Sequence, residues 1–162
     1  MRFTSFQNLF LSIFLIFLST TVSAQKKQLD HSAYDDWKSL RDITISDDGG
    51  FISAIVNPQE GDSILFIRNL KKDQSLRLKG VSKFTLSPDG KYTVGLIKAP
   101  FAERREARIK KKKEDEMPED SLAIIHNNTF HIEKIAAVKS FKTSEKEISH
   151  IAYIITQKAD TT

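Results

Sequence analysis

Apolar positions along this chain change period twice. They run together at Leu9-Phe10-Leu11-Ser12-Ile13-Phe14-Leu15-Ile16-Phe17-Leu18, recur every three residues at Tyr34, Trp37 and Leu40, and alternate from Asp42 onward. The middle period predicts a short helix, begun by Ser32-Ala33-Tyr34-Asp35, which fits the S/T-x-x-D/E pattern of a helix N-terminus with Ser32 as cap. The alternation beyond it predicts half-buried strands. Ile43-Thr44-Ile45-Ser46, a turn Asp47-Asp48-Gly49-Gly50 and Phe51-Ile52-Ser53-Ala54-Ile55-Val56 form one hairpin. The unit returns after 41 residues as Phe84-Thr85-Leu86-Ser87, Pro88-Asp89-Gly90-Lys91 and Tyr92-Thr93-Val94-Gly95-Leu96-Ile97.

The turn chemistry is specific. Pro88 presets φ, Asp89 bonds its own backbone and Gly90 tolerates positive φ, while Asp48 and Gly49 take the last two roles in the first copy. A third hairpin, Phe141-Lys142-Thr143-Ser144 to Ile148-Ser149-His150-Ile151-Ala152-Tyr153-Ile154-Ile155, lacks the glycine. Between hairpins, Asp62-Ser63-Ile64-Leu65-Phe66-Ile67-Arg68-Asn69-Leu70 resembles Asp120-Ser121-Leu122-Ala123-Ile124-Ile125-His126-Asn127-Asn128. Each is followed by a polar turn and a shorter strand, near 75–79 and 130–135. A repeat of about 40–50 residues with four strands is the pattern of a β-propeller blade. The expected fold is all-β: about two and a half four-stranded antiparallel blades over 42–162, preceded by a segment with a short helix over 25–41. A two-sheet sandwich also yields short strands at this spacing, but the S-x-D-G turn in register with two further strands favours blades.

Residues 99–120 interrupt the second blade. Within 103–120 seven positive and seven negative charges are segregated, net +5 over 103–113 and net −5 over 114–120. The acidic half and the missing aromatics argue against a nucleic-acid patch, so an exposed helical insertion is expected, with Glu106 and Lys110 as an i,i+4 pair.

Residues 1–24 form an address. Arg2 is their only charge, the apolar run follows, and Val22-Ser23-Ala24 precedes Gln25-Lys26-Lys27, the order of a secretory signal cut between Ala24 and Gln25. Ten apolar-rich residues fall short of the roughly 20 that span a bilayer, so the membrane is expected to be met only during export, to a periplasm or beyond; the alternative is an uncleaved anchor, since a helix from Phe3 to Val22 just reaches across. The remaining 138 residues carry 24 Lys and Arg against 21 Asp and Glu. That balance is too weak to mark a nucleic-acid partner. With no cysteine in the chain, a disulfide scaffold, a thiolate metal site, a cysteine nucleophile and an N-terminal lipid-modified cysteine are excluded.

Catalytic constellations are absent. A nucleophile elbow needs G-x-S-x-G, and Gly61-Asp62-Ser63 and Gly80-Val81-Ser82 each lack the second glycine. No glycine-rich phosphate loop occurs. His126 and His131 have no carboxylate at ligand spacing, so neither metal nor cofactor is expected. Asn127-Asn128-Thr129 fits a glycosylation sequon, relevant only on a eukaryotic secretory route.

Five segments in order carry a family likeness: Tyr34-Asp35-Asp36-Trp37-Lys38-Ser39-Leu40-Arg41, Val56-Asn57-Pro58-Gln59-Glu60-Gly61-Asp62, Leu86-Ser87-Pro88-Asp89-Gly90-Lys91-Tyr92, Ile97-Lys98-Ala99-Pro100-Phe101 and Lys110-Lys111-Lys112-Lys113-Glu114-Asp115-Glu116-Met117-Pro118. Over about residues 29–153 the chain resembles the start of exported bacterial serine peptidases of the prolyl oligopeptidase family. The resemblance implies an N-terminal propeller that restricts access, admitting peptides to the serine, aspartate and histidine triad of a C-terminal α/β-hydrolase domain. The triad has no counterpart here, so the catalytic site residues are none. Glu114-Asp115-Glu116 sits on an insertion, as does the glutamate pair with which some relatives hold a substrate's amino terminus, but the motif differs and the role does not carry over.

Two and a half blades cannot close a ring, and 148–155 is expected as an apolar edge open to pairing. The isolated chain is therefore expected to be poorly soluble or partly folded, inactive alone, and part of a peptidase whose hydrolase domain lies elsewhere. The rival expectation is a non-enzymatic exported binding protein that completes its sheet by oligomerising; a pseudogene product is a third.

Overall fold

The computed structural model describes residues 37–144 and 150–156. The expected signal segment, the Ala24–Gln25 cut, the Ser32 cap with Tyr34, and most of the third hairpin's turn lie outside the described residues. Ten strands and one α-helix follow: β1 (Lys38–Ile45), β2 (Phe51–Pro58), β3 (Ile64–Asn69), β4 (Gln74–Lys79), β5 (Val81–Leu86), β6 (Tyr92–Ile97), α1 (Phe101–Ile109), β7 (Ser121–His126), β8 (His131–Ala136), β9 (Val138–Thr143) and β10 (Ile151–Ile155), with a 3-10 turn at Glu114–Glu116. They form two four-stranded sheets in sequential order, β1-β2-β3-β4 and β5-β6-β7-β8, and a two-stranded sheet of β9 and β10. Every pairing is antiparallel. This is the all-β partial propeller, two blades and the opening hairpin of a third.

Each blade buries one face against the next. Ile55, Leu65 and Ile67 of the first blade pack on Val81, Phe84 and Leu86 of β5, with Ala123 and Ile125 behind them. Val94, Leu96 and Leu122 of the second blade pack on Val138 and Phe141 of β9. Val81, Phe84 and Leu86 of β5, and Val138 and Phe141 of β9, thus seat on the preceding blade. The residues 41 places before Val81, Phe84 and Leu86 are Leu40, Ile43 and Ile45 of β1, which stand 63%, 60% and 57% exposed.

The helix expected to run through Leu40 is not formed there: Lys38 to Arg41 are strand, so the first blade begins four residues before Asp42. β1 also carries a bulge. The β1–β2 register shifts between Arg41 and Thr44, and Asp42 lies in the left-handed region at φ 52°. The extra residue separates two same-face side chains, Leu40 and Ile43, by three positions instead of two.

The duplicated middle strands are also one residue out of the expected alignment. Val56 pairs with Ile64 and Ile97, 41 residues on, pairs with Ser121, so Asp120 corresponds to Ser63 and not to Asp62. A slip of one reverses which side chains face a given neighbour. With the observed register, Leu65 and Leu122 both face the following blade.

Candidate functional site

The turn residues singled out in the sequence form an interlock between blades. In the first turn the Ser46 hydroxyl donates to Asp48 Oδ1 (2.7 Å), Asp48 Oδ1 accepts from the Gly50 amide (2.9 Å), and the Phe51 amide donates to Ser46 Oγ (2.9 Å). The second repeats it: the Lys91 amide donates to Asp89 Oδ1 (3.1 Å) and the Tyr92 amide to Ser87 Oγ (2.9 Å). Gly49 and Gly90 adopt φ 62° and 69°. Pro88 presents its carbonyl to the Asp47 amide at 2.9 Å, joining the two turns. The Lys71 ammonium beside Asp48, then the Ser46 hydroxyl and the Gly50 amide, hold its carboxyl far below the usual carboxylate range. Asp89 is lowered by the Ser87 hydroxyl and the Lys91 amide. The residues singled out, Asp48, Gly49, Pro88, Asp89 and Gly90, thus all lie in these two turns.

Asn127 braces the second of these turns from within its own blade. It is fully buried, donating through Nδ2 to the Gly90 carbonyl (2.8 Å) and accepting from Thr93 Oγ1 (2.9 Å). A buried amide engaged at both ends is not a glycan acceptor, which removes the sequon reading. Composition and motif gave no sign of this role; Asn127 becomes recognisable only once the end of β7 is placed beside the second turn.

At the opposite ends of the strands lies the insertion. Only Phe101–Ile109 is α-helical. Lys111 then takes φ 50°, and the Lys112 amide bonds the Ala107 carbonyl at 3.0 Å, a Schellman-type stop. Pro100 offers no side-chain cap, and Asp62 of the first blade supplies one: its Oδ1 accepts from the Phe101 amide (2.9 Å) and lies 3.4 Å from Arg104. Asp120 holds the other side, accepting from Lys98 Nζ (2.6 Å) and the Ala99 amide (3.2 Å). Arg105 reaches Glu60 at 3.2 Å, and the Glu106–Lys110 pair is present. The insertion of the second blade is therefore tied to the first. A cavity of about 570 Å³ lies between the acidic stretch and β9, with Met117, Pro118 and Val138 among its apolar walls and Glu114 and Lys139 3.8 Å apart.

The hydroxyls of the two incomplete elbow motifs are occupied, Ser63 on the Val81 carbonyl (2.6 Å) and Ser82 on the Leu96 carbonyl (3.3 Å). His126 stacks edge-on to Tyr92 and lies 3.4 Å from Glu133. That carboxylate escaped sequence spacing because it belongs to the next strand, where Ile124 pairs with Glu133 and His126 with His131. Glu133 is thus diagonal to His126. Among the described residues no three His, Asp or Glu side chains converge on a metal position.

No protein-family model matches the chain, and no curated protein matches it. Among solved structures it is similar to the acylaminoacyl peptidase of Pyrococcus horikoshii (TM-score 0.49, 14% identity, 71% of this chain and 17% of that chain). It is also similar to the β-propeller domain of the Trilobed protease from Pyrococcus furiosus (TM-score 0.45, 16% identity, 67% of this chain and 32% of that one). The chain spans between a sixth and a third of these proteins' length.

Proposed function

We propose that this chain is the non-catalytic propeller part of an exported serine peptidase of the prolyl oligopeptidase type, in which it gates the access of peptides to a separate α/β-hydrolase domain. The observation that carries the reading is the exposed row Leu40, Ile43 and Ile45. The corresponding positions of β5 and β9 seat on a preceding blade, so β1 is built to receive one, as in a closed ring. The five segments resembling that family supply the link to peptidases. The apolar run at 9–18 and the small-x-small site at 22–24 support export, with the membrane met only in passage. No cofactor or metal enters this reading.

The experiment is activity-based labelling of the native product. An antibody raised against 103–120 captures the polypeptide from periplasmic, secreted and cytoplasmic fractions, and a fluorophosphonate probe then reports an activated serine. A labelled polypeptide in an exported fraction is expected. Capture of an unlabelled polypeptide would favour the stand-alone binding protein, and a cytoplasmic location would overturn export.

A further inference from the structure

A second cavity, about 310 Å³, lies between the two blades at the end of the strands remote from the S-x-D-G turns. Arg41 of β1, Asn57 of β2, Ser63 and Ser82 at the blade junction, Lys98 and Arg104 line it, and no carboxylate is among its lining residues. The hydroxyl protons are already spent on the Val81 and Leu96 carbonyls. Arg41 uses one N–H on Asn57 Oδ1 at 3.3 Å. Among the described residues the other guanidinium N–H groups and the Asn57 amide nitrogen are left as donors. Lys98 is balanced by Asp120 and Arg104 by Asp62, neither of them among the lining residues. Three cations against two anions leave a cavity with a surplus of one positive charge and an excess of donors.

We propose that this cavity binds a single carboxylate, carried by a ligand the size of a terminal amino-acid residue, with Arg41 and Asn57 as the principal donors. The planar guanidinium matches a carboxylate through paired N–H donors, and the volume sits near the lower end of the roughly 300–1,000 Å³ of small-molecule sites. A surplus of one charge suits a monoanion and not doubly charged phosphate. The site does not depend on the peptidase reading, since its donors all belong to this chain.

Saturation-transfer NMR on the full chain tests it, with acetyl-Ala-Ala as probe, its C-terminal amide as control and inorganic phosphate as competitor. The acid is expected to bind saturably and at least tenfold more tightly than the amide. Phosphate should displace it only at higher concentration than unlabelled acid. Arg41→Gln should weaken the acid at least tenfold with an unchanged circular dichroism spectrum. Asn57→Asp, isosteric but negative, should abolish binding. No binding by the wild-type chain, equal binding of acid and amide, tighter binding of phosphate, or retention of the acid by both variants would overturn the proposal.

Discussion

Gly49 and Gly90 occupy the same turn position 41 residues apart, but only one has neighbours. A Cβ on Gly49 meets nothing within 4 Å, whereas on Gly90 it meets Phe51 at 2.8 Å and Ser46 at 3.1 Å. Gly49→Ala should lose about 1–2 kcal/mol, the left-handed penalty alone. Gly90→Ala should lose a further 1–3 kcal/mol from overpacking at the blade junction. Urea unfolding of the two variants side by side checks the difference, and equal losses would refute the interlock. The Asp48 carboxyl adds a pH dependence. Its folded pKa is depressed by Lys71, Ser46 and Gly50, so its contribution is present above the unfolded value of about 3.9 and is lost as pH falls through the folded one. Asp48→Asn should flatten the decline of stability below pH 4, read from acid unfolding followed by circular dichroism. An unchanged acid profile would show that the charge at Asp48 is not coupled to folding.

Hairpins with matched turns were the most legible elements, because S-x-D-G chemistry and strict alternation act locally and agree with each other. The bulge at Asp42 was not legible, because which residue of β1 is the extra one is decided by its pairing with β2. The one-residue shift of β7 was hidden for a related reason, since strand register depends on what the neighbouring strand presents. The clamp of Asp62 and Asp120 on the insertion was visible as a repeated aspartate but not as a clamp, because Phe101 lies 39 residues from Asp62. Asp62→Ala should free the start of α1 and cost about 0.5–2 kcal/mol, the range for a lost helix cap. Hydrogen exchange should then quicken across 101–109 while β2 and β3 keep their protection. Uniform acceleration through the first blade would instead give Asp62 a role in the fold of the blade itself.

Across the whole molecule the decisive feature is unfinished burial. Leu40, Ile43 and Ile45 at one end, and Tyr153, Ile154 and Ile155 at the other, are exposed. Burying each large aliphatic side chain is worth roughly 1.5–3 kcal/mol. Residues 25–162 expressed alone should therefore self-associate, and Leu40→Lys with Ile43→Lys should shift the sedimentation profile toward monomer. A wild-type monomer at high concentration would show that these faces need no partner. The same exposed faces underlie the central claim, that this chain is part of a larger propeller peptidase. The intact mass of the native polypeptide captured through 103–120 tests it most directly. A mass several times the 18.4 kDa of these 162 residues is predicted, and a mass equal to that of residues 25–162 would contradict it.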